Sequence, residues 1–220
     1  MIISLNPNSF FVFDLDDTLY PEIEYLESAY KFIAEMILPA TDKNIYDIML
    51  QRYKSGENVF DWIVSTYAKN DPKIDISYLL QLYREHKPEI KLNKDTRGLL
   101  DSLKEKKVPV GLITDGRSIT QRNKLKALGL DDYFDDIIIS EEFGSEKPDE
   151  RNYLYFEKKY LGKVFYFIGD NTSKDFIVPI KLNWTTICLK NNGVNIHDQN
   201  LEKGILPDII INSFKELLLA

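Results

Sequence analysis

The sequence predicts an α/β fold: a doubly wound parallel sheet that carries an inserted bundle of helices. Two observations predict it. Short apolar runs with no polar alternation recur over residues 10–13, 108–113, 137–139 and 164–168, and more weakly over 185–189 and 209–211. Such runs suit strands buried on both faces, as in a parallel sheet. Helical patterns lie between them, and strands alternating with helices imply βαβ units with right-handed crossovers.

The elements follow in order. Phe10, Phe11, Val12 and Phe13 form the first strand, which ends abruptly at Asp14. Leu99, Leu100 and Leu103 mark a helix before the second strand; Leu125 and Leu128, with the stop signal Gly129, mark one before the third. Tyr153, Phe156 and Tyr160 precede the fourth. Residues 22–87 break this rhythm. Ile23, Leu26, Tyr30, Ile33 and Ile37 step by three and four, one face of a helix. Ile45, Ile48 and Met49 begin a second helix, Val59, Phe60, Ile63 and Tyr67 a third, and Ile76, Leu79, Leu80 and Tyr83 a fourth, with Pro39, Pro72 and Pro88 between or after them. The expected division is an α/β core made of residues 1–20 and 88–220, with an all-α insertion at 21–87.

At 220 residues, 44% of them hydrophobic, the chain can bury a sizeable core. A net charge of −7 argues against nucleic acid or an anionic membrane as partner. No apolar run approaches the roughly 18 residues a membrane helix needs. The N-terminus lacks the basic and apolar segments of a signal peptide. Cys188 is the single cysteine, so no internal disulfide can form. A cytoplasmic protein is expected; its oligomeric state is open.

In an open parallel sheet, ligands bind beyond the carboxyl ends of the strands. The first strand is followed by Asp14, Asp16, Asp17 and Thr18, and the second by Thr114, Asp115, Gly116 and Arg117. Glu146, Lys147, Pro148 and Asp149 lie in the loop after the third, and Gly169, Asp170, Asn171, Lys174 and Asp175 after the fourth. So many carboxylates in one crevice would repel one another without a cation, and hard oxygen ligands point to Mg2+. A carboxylate beside a metal can also attack phosphorus.

These residues resemble the four ordered motifs of the haloacid dehalogenase superfamily: DxDxT at Asp14, Asp16 and Thr18, a hydroxyl residue at Thr114, a lysine at Lys147, and GDxxxxD at Gly169, Asp170 and Asp175. The insertion is similar to the helical-bundle cap of one subfamily, and the resemblance covers essentially the whole chain. It implies a Rossmann-like core and a phosphatase of small phosphorylated metabolites: sugar phosphates, sugar-acid phosphates or nucleotides. Asp14 would be the nucleophile and Asp16 the general acid–base. Thr114, Lys147 and the backbone N–H groups around Asp115 and Gly116 would hold the phosphoryl oxygens. Mg2+ would sit between the Asp14 side chain, the Asp16 carbonyl and Asp170. Thr18 would hold the turn, and Asp175 would support the metal or Lys147.

A phosphomutase of the same family is the nearest alternative, although its first motif usually lacks Thr at position 18. A dehalogenase has no use for an acid at position 16. A signalling receiver domain, another class, needs no helical insertion. Arg117 and Lys174 are expected at the surface, Tyr20 facing the substrate, and Trp62, Trp184 and Cys188 in packing roles. His86 and His197 have no partner at metal-ligand spacing.

Overall fold

A computed structural model describes the chain apart from residues 1, 4–7, 42, 197, 198, 200–204 and 220, so His197 lies outside the described residues. In chain order the elements are β1 (Ile2–Ile3), β2 (Ser9–Phe13), α1 (Glu22–Met36), α2 (Leu38–Thr41), α3 (Tyr46–Lys54), α4 (Val59–Tyr67) and α5 (Ile76–Glu85). Then come α6 (Lys94–Glu105), β3 (Val110–Thr114), α7 (Ser118–Leu128), β4 (Asp136–Ile139), α8 (Ser140–Phe143) and α9 (Glu150–Lys159). The chain closes with β5 (Val164–Gly169), α10 (Ile177–Lys181), β6 (Thr185–Leu189), β7 (Ile209–Ile211) and β8 (Leu218–Leu219). Among the described residues, six strands form one parallel sheet in the order β4-β3-β2-β5-β6-β7, and β1 pairs with β8.

The pleat explains why the apolar runs do not alternate. Successive side chains point to opposite faces, and both faces are covered. Phe11 and Phe13 of β2 join Leu112, Ile168 and Ile187 in one apolar layer with Leu99 and Leu103 of α6 and Leu125 and Leu128 of α7. Phe10 and Val12 join Ile113, Phe167 and Cys188 in the opposite layer, with Tyr153 and Phe156 of α9 and Val178 of α10. Each such buried side chain contributes about 1.5–3 kcal/mol. Trp184 takes the packing role expected of it, stacked on Phe165 at 4.5 Å with its indole N–H on Glu157.

The helices after β2 build an apolar cluster of their own. Leu26, Tyr30, Ile33 and Ile37, the predicted stripe, meet Ile45, Met49, Ile63 and Leu79. Asn58 caps α4 and Asp75 caps α5, each accepting from a backbone N–H of the first turn. Tyr25 faces the other way, into the layer beneath the sheet, and its hydroxyl donates to the Tyr83 carbonyl at 2.6 Å. His86 is buried beside it, and burial holds its imidazole below the usual value.

Details of the elements differ from the sequence reading. β3 begins at Val110, because the Val108 N–H closes α6 on the Leu103 carbonyl. Pro39 lies inside α2, in its first turn, where a missing N–H costs nothing. The one-turn helix α8 is too short to show a period.

Gly111 marks a close approach of helix and sheet: a Cβ there would lie 2.3 Å from Phe156 Cε1. Gly111→Ala is therefore expected to destabilise the fold by about 1–3 kcal/mol. Urea unfolding measures it, and a variant as stable as the parent contradicts this packing.

Candidate active site

Strand order reverses beside β2: β3 and β4 lie on one side, and β5, β6 and β7 on the other. The crevice at such a switch point collects the residues that follow β2 and β5. The Asp14 N–H donates to the Ile168 carbonyl at 2.9 Å, so Asp14 sits level with the end of β5. The next turn needs a left-handed residue, and Asp17 supplies it with φ 55°. The Asp17 carboxylate accepts from the Glu22 N–H at 2.8 Å and the Ile196 N–H at 3.0 Å, which fixes the start of α1.

Lys147 lies at the centre. Its ammonium is 2.6 Å from Asp14 Oδ1 and 2.8 Å from Asp175 Oδ1, with both partners buried. Asp115 anchors the loop that delivers it, accepting from the Lys147 N–H at 3.0 Å. One carboxylate oxygen from each of Asp14, Asp170 and Asp175 lies within 4.8 Å of the other two. Burial, then the neighbouring carboxylates, push Asp14 up to about 7 against the pull of Lys147. Burial and Asp14 push Asp170 up to about 8. Burial and Asp16 push Glu22 up to about 7. Lys147 loses hydration on burial, but Asp14 and Asp175 more than restore its charge and hold it well above its usual value.

These oxygens suit a hard divalent cation: they are carboxylates close enough to share an ion, and their mutual repulsion is what a cation would relieve. Asp14 and Asp170 line a cavity of about 90 Å³, while Asp175 is fully buried with its other oxygen on the Asn171 N–H at 2.9 Å. The cluster could therefore bind a metal, with Asp175 engaged by Lys147. The Thr18 hydroxyl donates to Asp170 Oδ1 at 3.4 Å, and Asn195 donates to Oδ2 at 2.9 Å.

Asp16 faces a different set of groups. Its Oδ1 accepts from the Tyr20 hydroxyl at 2.6 Å and from Lys124 at 2.7 Å, and its Oδ2 from Gln121 at 2.8 Å. Burial alone would raise Asp16, but Lys124 and these hydrogen bonds outweigh it and hold the carboxyl below its ordinary range. Gln121 also donates to Thr114 Oγ1 at 2.5 Å, which leaves the Thr114 hydroxyl its own hydrogen to donate.

Three expectations change. The Gly116 N–H donates to Ser140 Oγ at 2.9 Å, so it is not turned to a phosphoryl oxygen. Tyr20 is buried and bound to Asp16, so it orients a carboxylate and does not face a ligand. Lys174 is not a free surface residue: it pairs with Asp115 Oδ2 at 2.8 Å and lines the cavity. Arg117 is exposed as expected, paired with Glu141. The sequence reading missed Lys124 and Gln121 as site residues. Their signal is spacing: each lies four residues before a buried leucine of α7, Leu125 or Leu128, and so on its inward face.

Residues 11–188 match the family described as haloacid dehalogenase-like hydrolase. The chain belongs to this family. The glyceraldehyde 3-phosphate phosphatase of Methanocaldococcus jannaschii is 30% identical over 94% of each chain. The pyrimidine 5′-nucleotidase YjjG of Escherichia coli is 32% identical over 49% of this chain and 47% of its own. The HAD-hydrolase YfnB of Bacillus subtilis, solved with bound magnesium, shares the fold with a TM-score of 0.62 at 20% identity, covering 96% of this chain and 97% of its own. Among the described residues no helix is long and apolar enough to cross a membrane.

The crowded carboxylates of this hydrolase set the sign of a pH effect. Asp14 and Glu22 (about 7) and Asp170 (about 8) hold protons in the folded chain where the unfolded chain has lost them. Stability without a cation should therefore fall as pH rises from about 4 through about 8. The lowered Asp16 acts in the opposite sense only below its ordinary value of 3.8, and the lowered His86 only below 6.5, where the three raised carboxylates outweigh it. The melting temperature in chelator is expected to be lower at pH 8 than at pH 5, and a divalent cation should raise it more at pH 8. A melting temperature that rises with pH in chelator contradicts this account.

Proposed function

We propose that this hydrolase is a Mg2+-dependent phosphatase of small phosphomonoesters that works through an aspartyl phosphate on Asp14. The buried Asp14–Lys147 pair at the switch point, with Asp170 and Asp175 beside it, carries the reading. A carboxylate attacks phosphorus usefully when the phosphoryl group is held in line and its charge is met by fixed positive groups. Lys147 provides such a group.

Asp16, a carboxylate in the resting site, takes up the proton of the phosphomonoester monoanion as the ester binds. Asp14 then attacks phosphorus, the bond from phosphorus to the ester oxygen breaks, and Asp16 passes that proton to the oxygen. Asp16, now a carboxylate, takes a proton from water as the water oxygen attacks phosphorus. The bond from Asp14 to phosphorus then breaks and inorganic phosphate leaves with that proton, which restores both carboxylates. The Thr114 hydroxyl, the Asp115 N–H and the Lys147 ammonium hold the phosphoryl oxygens, and Lys174 adds positive charge from the same cavity. The Asp14 and Asp170 carboxylates and the Asp16 carbonyl would hold Mg2+, which would supply neutralisation of the charge on the phosphoryl group. Thr18 steadies Asp170 and Asp175 steadies Lys147.

Residues 21–87 act as a lid over an α/β core of residues 1–20 and 88–220. Their separate apolar cluster and the small cavity support this. A cavity of about 90 Å³ is small for a phosphomonoester, so movement of the helices would widen it as the ester binds. A lid of this kind admits a metabolite more readily than the surface of a folded phosphoprotein, and the names of the two relatives fit that size. The buried single cysteine, Cys188, suits a reducing compartment, so the reading includes the cytoplasm.

A phosphate-release assay over a panel of metabolite phosphates tests the reading. Chelation should abolish release and Mg2+ restore it. Asp14→Asn should lower release by about 10³-fold or more with an unchanged circular dichroism spectrum. Near-normal release by the folded variant would sink the mechanism.

A further inference from the structure

Helix α7 brings to the site a cation that belongs to none of the sequence motifs. Lys124 is 3% exposed. Its ammonium meets Asp16 Oδ1 at 2.7 Å, Glu22 Oε1 at 3.6 Å and the Tyr25 ring at 4.5 Å from its centroid. A lysine buried this deeply gives up its hydration and persists only with partners of this kind.

A purely structural tie between insertion and core would need Glu22 alone. The shortest of these contacts is instead to the acid–base carboxylate, where Lys124 joins Tyr20 and Gln121 to occupy both oxygens of Asp16. A carboxylate with donors on both oxygens cannot turn about its χ2 axis without breaking one of them. The lysine is itself fixed from outside the core. Glu22 and Tyr25 belong to α1, and on the same helix as Lys124, Thr120 donates to the Arg84 carbonyl at 3.2 Å. Asn123 donates to the carbonyls of Glu85 and His86 at 3.2 and 3.1 Å.

We propose that Lys124 is the positioning residue of Asp16: it holds the carboxylate in the orientation that takes a proton from water when the phosphorylated Asp14 is hydrolysed. The inference rests on the proposed phosphatase reaction. Because Lys124 is clasped by α1, Asp16 is aimed only when the insertion is seated on the core.

p-Nitrophenyl phosphate separates the two half-reactions, because its leaving group needs no proton. With that substrate kcat/KM reports formation of the phospho-enzyme and kcat reports its hydrolysis. Lys124→Met is expected to lower kcat about 10- to 100-fold while kcat/KM changes less than about threefold, since the loss falls on general-base catalysis alone. Acid-quenched reactions should then hold phosphate on the protein that the parent does not accumulate. Lys124→Gln, which keeps a donor without the charge, should show the same split at smaller size. It carries the decision if the Met variant fails to fold by circular dichroism. A fall of kcat and kcat/KM together, with no trapped phosphate, overturns the inference alone, provided the parent hydrolyses the ester. A parent that hydrolyses no phosphomonoester overturns the proposed function and this inference with it.

Discussion

The whole site depends on one constraint: several carboxylates are buried in a single crevice, and the Lys147 ammonium lies among them. Two like charges 4 Å apart repel by about 4 kcal/mol at the effective dielectric of a protein site. Lys147, between Asp14 and Asp175, offsets part of this, and the neighbouring structure serves to put it there. Asp115 fixes its loop. Gly169 makes room for its partner, since a Cβ at that position would lie 2.5 Å from Asp175 Oδ2. The remaining repulsion, visible in the raised Asp14 and Asp170, is what a divalent cation would neutralise.

The fold supplies the rest by topology. The chain runs from β2 outward through β3 and β4, then returns to β5 on the other flank. That reversal sets the ends of β2 and β5 side by side and makes the crevice. It also leaves the β2 exit as the place where a helical insertion can enter without disturbing the sheet. The insertion has its own apolar cluster but touches the site at particular points: Glu22 in the cavity wall, Tyr25 over Lys124, and the end of α5 on α7. Movement of these helices would therefore be felt first at Asp16, through Lys124.

Much of this was legible in the residues. Phe10, Phe11, Val12 and Phe13 read as a doubly buried strand, and the pleat divides them between two layers. The stripe from Leu26 to Ile37 read as a helix face and is one. Asp14, Thr114, Lys147, Asp170 and Asp175 do meet at one end of the sheet. The partners of Asp16 were harder to see, because lysine and glutamine on a helix usually face water. Only their register with Leu125 and Leu128 marks Gln121 and Lys124 as inward. Lys174 was misread for the same reason, since its partner Asp115 is 59 residues away in sequence. Gly116 sits in the expected loop, but the fate of its N–H depends on Ser140, which no local pattern connects to it.

The central claim is that Asp14 carries the phosphoryl group between ester and water. Acid quench of the Mg2+-loaded protein during turnover of an activated phosphomonoester, followed by peptide mapping, tests it most directly. The account predicts one phosphorylated peptide, with the phosphate on Asp14, labile to hydroxylamine as an acyl phosphate is, and absent from Asp14→Asn. Phosphate found on a hydroxyl or lysine side chain, or turnover with single-step inversion at phosphorus and no labelled peptide, would contradict it.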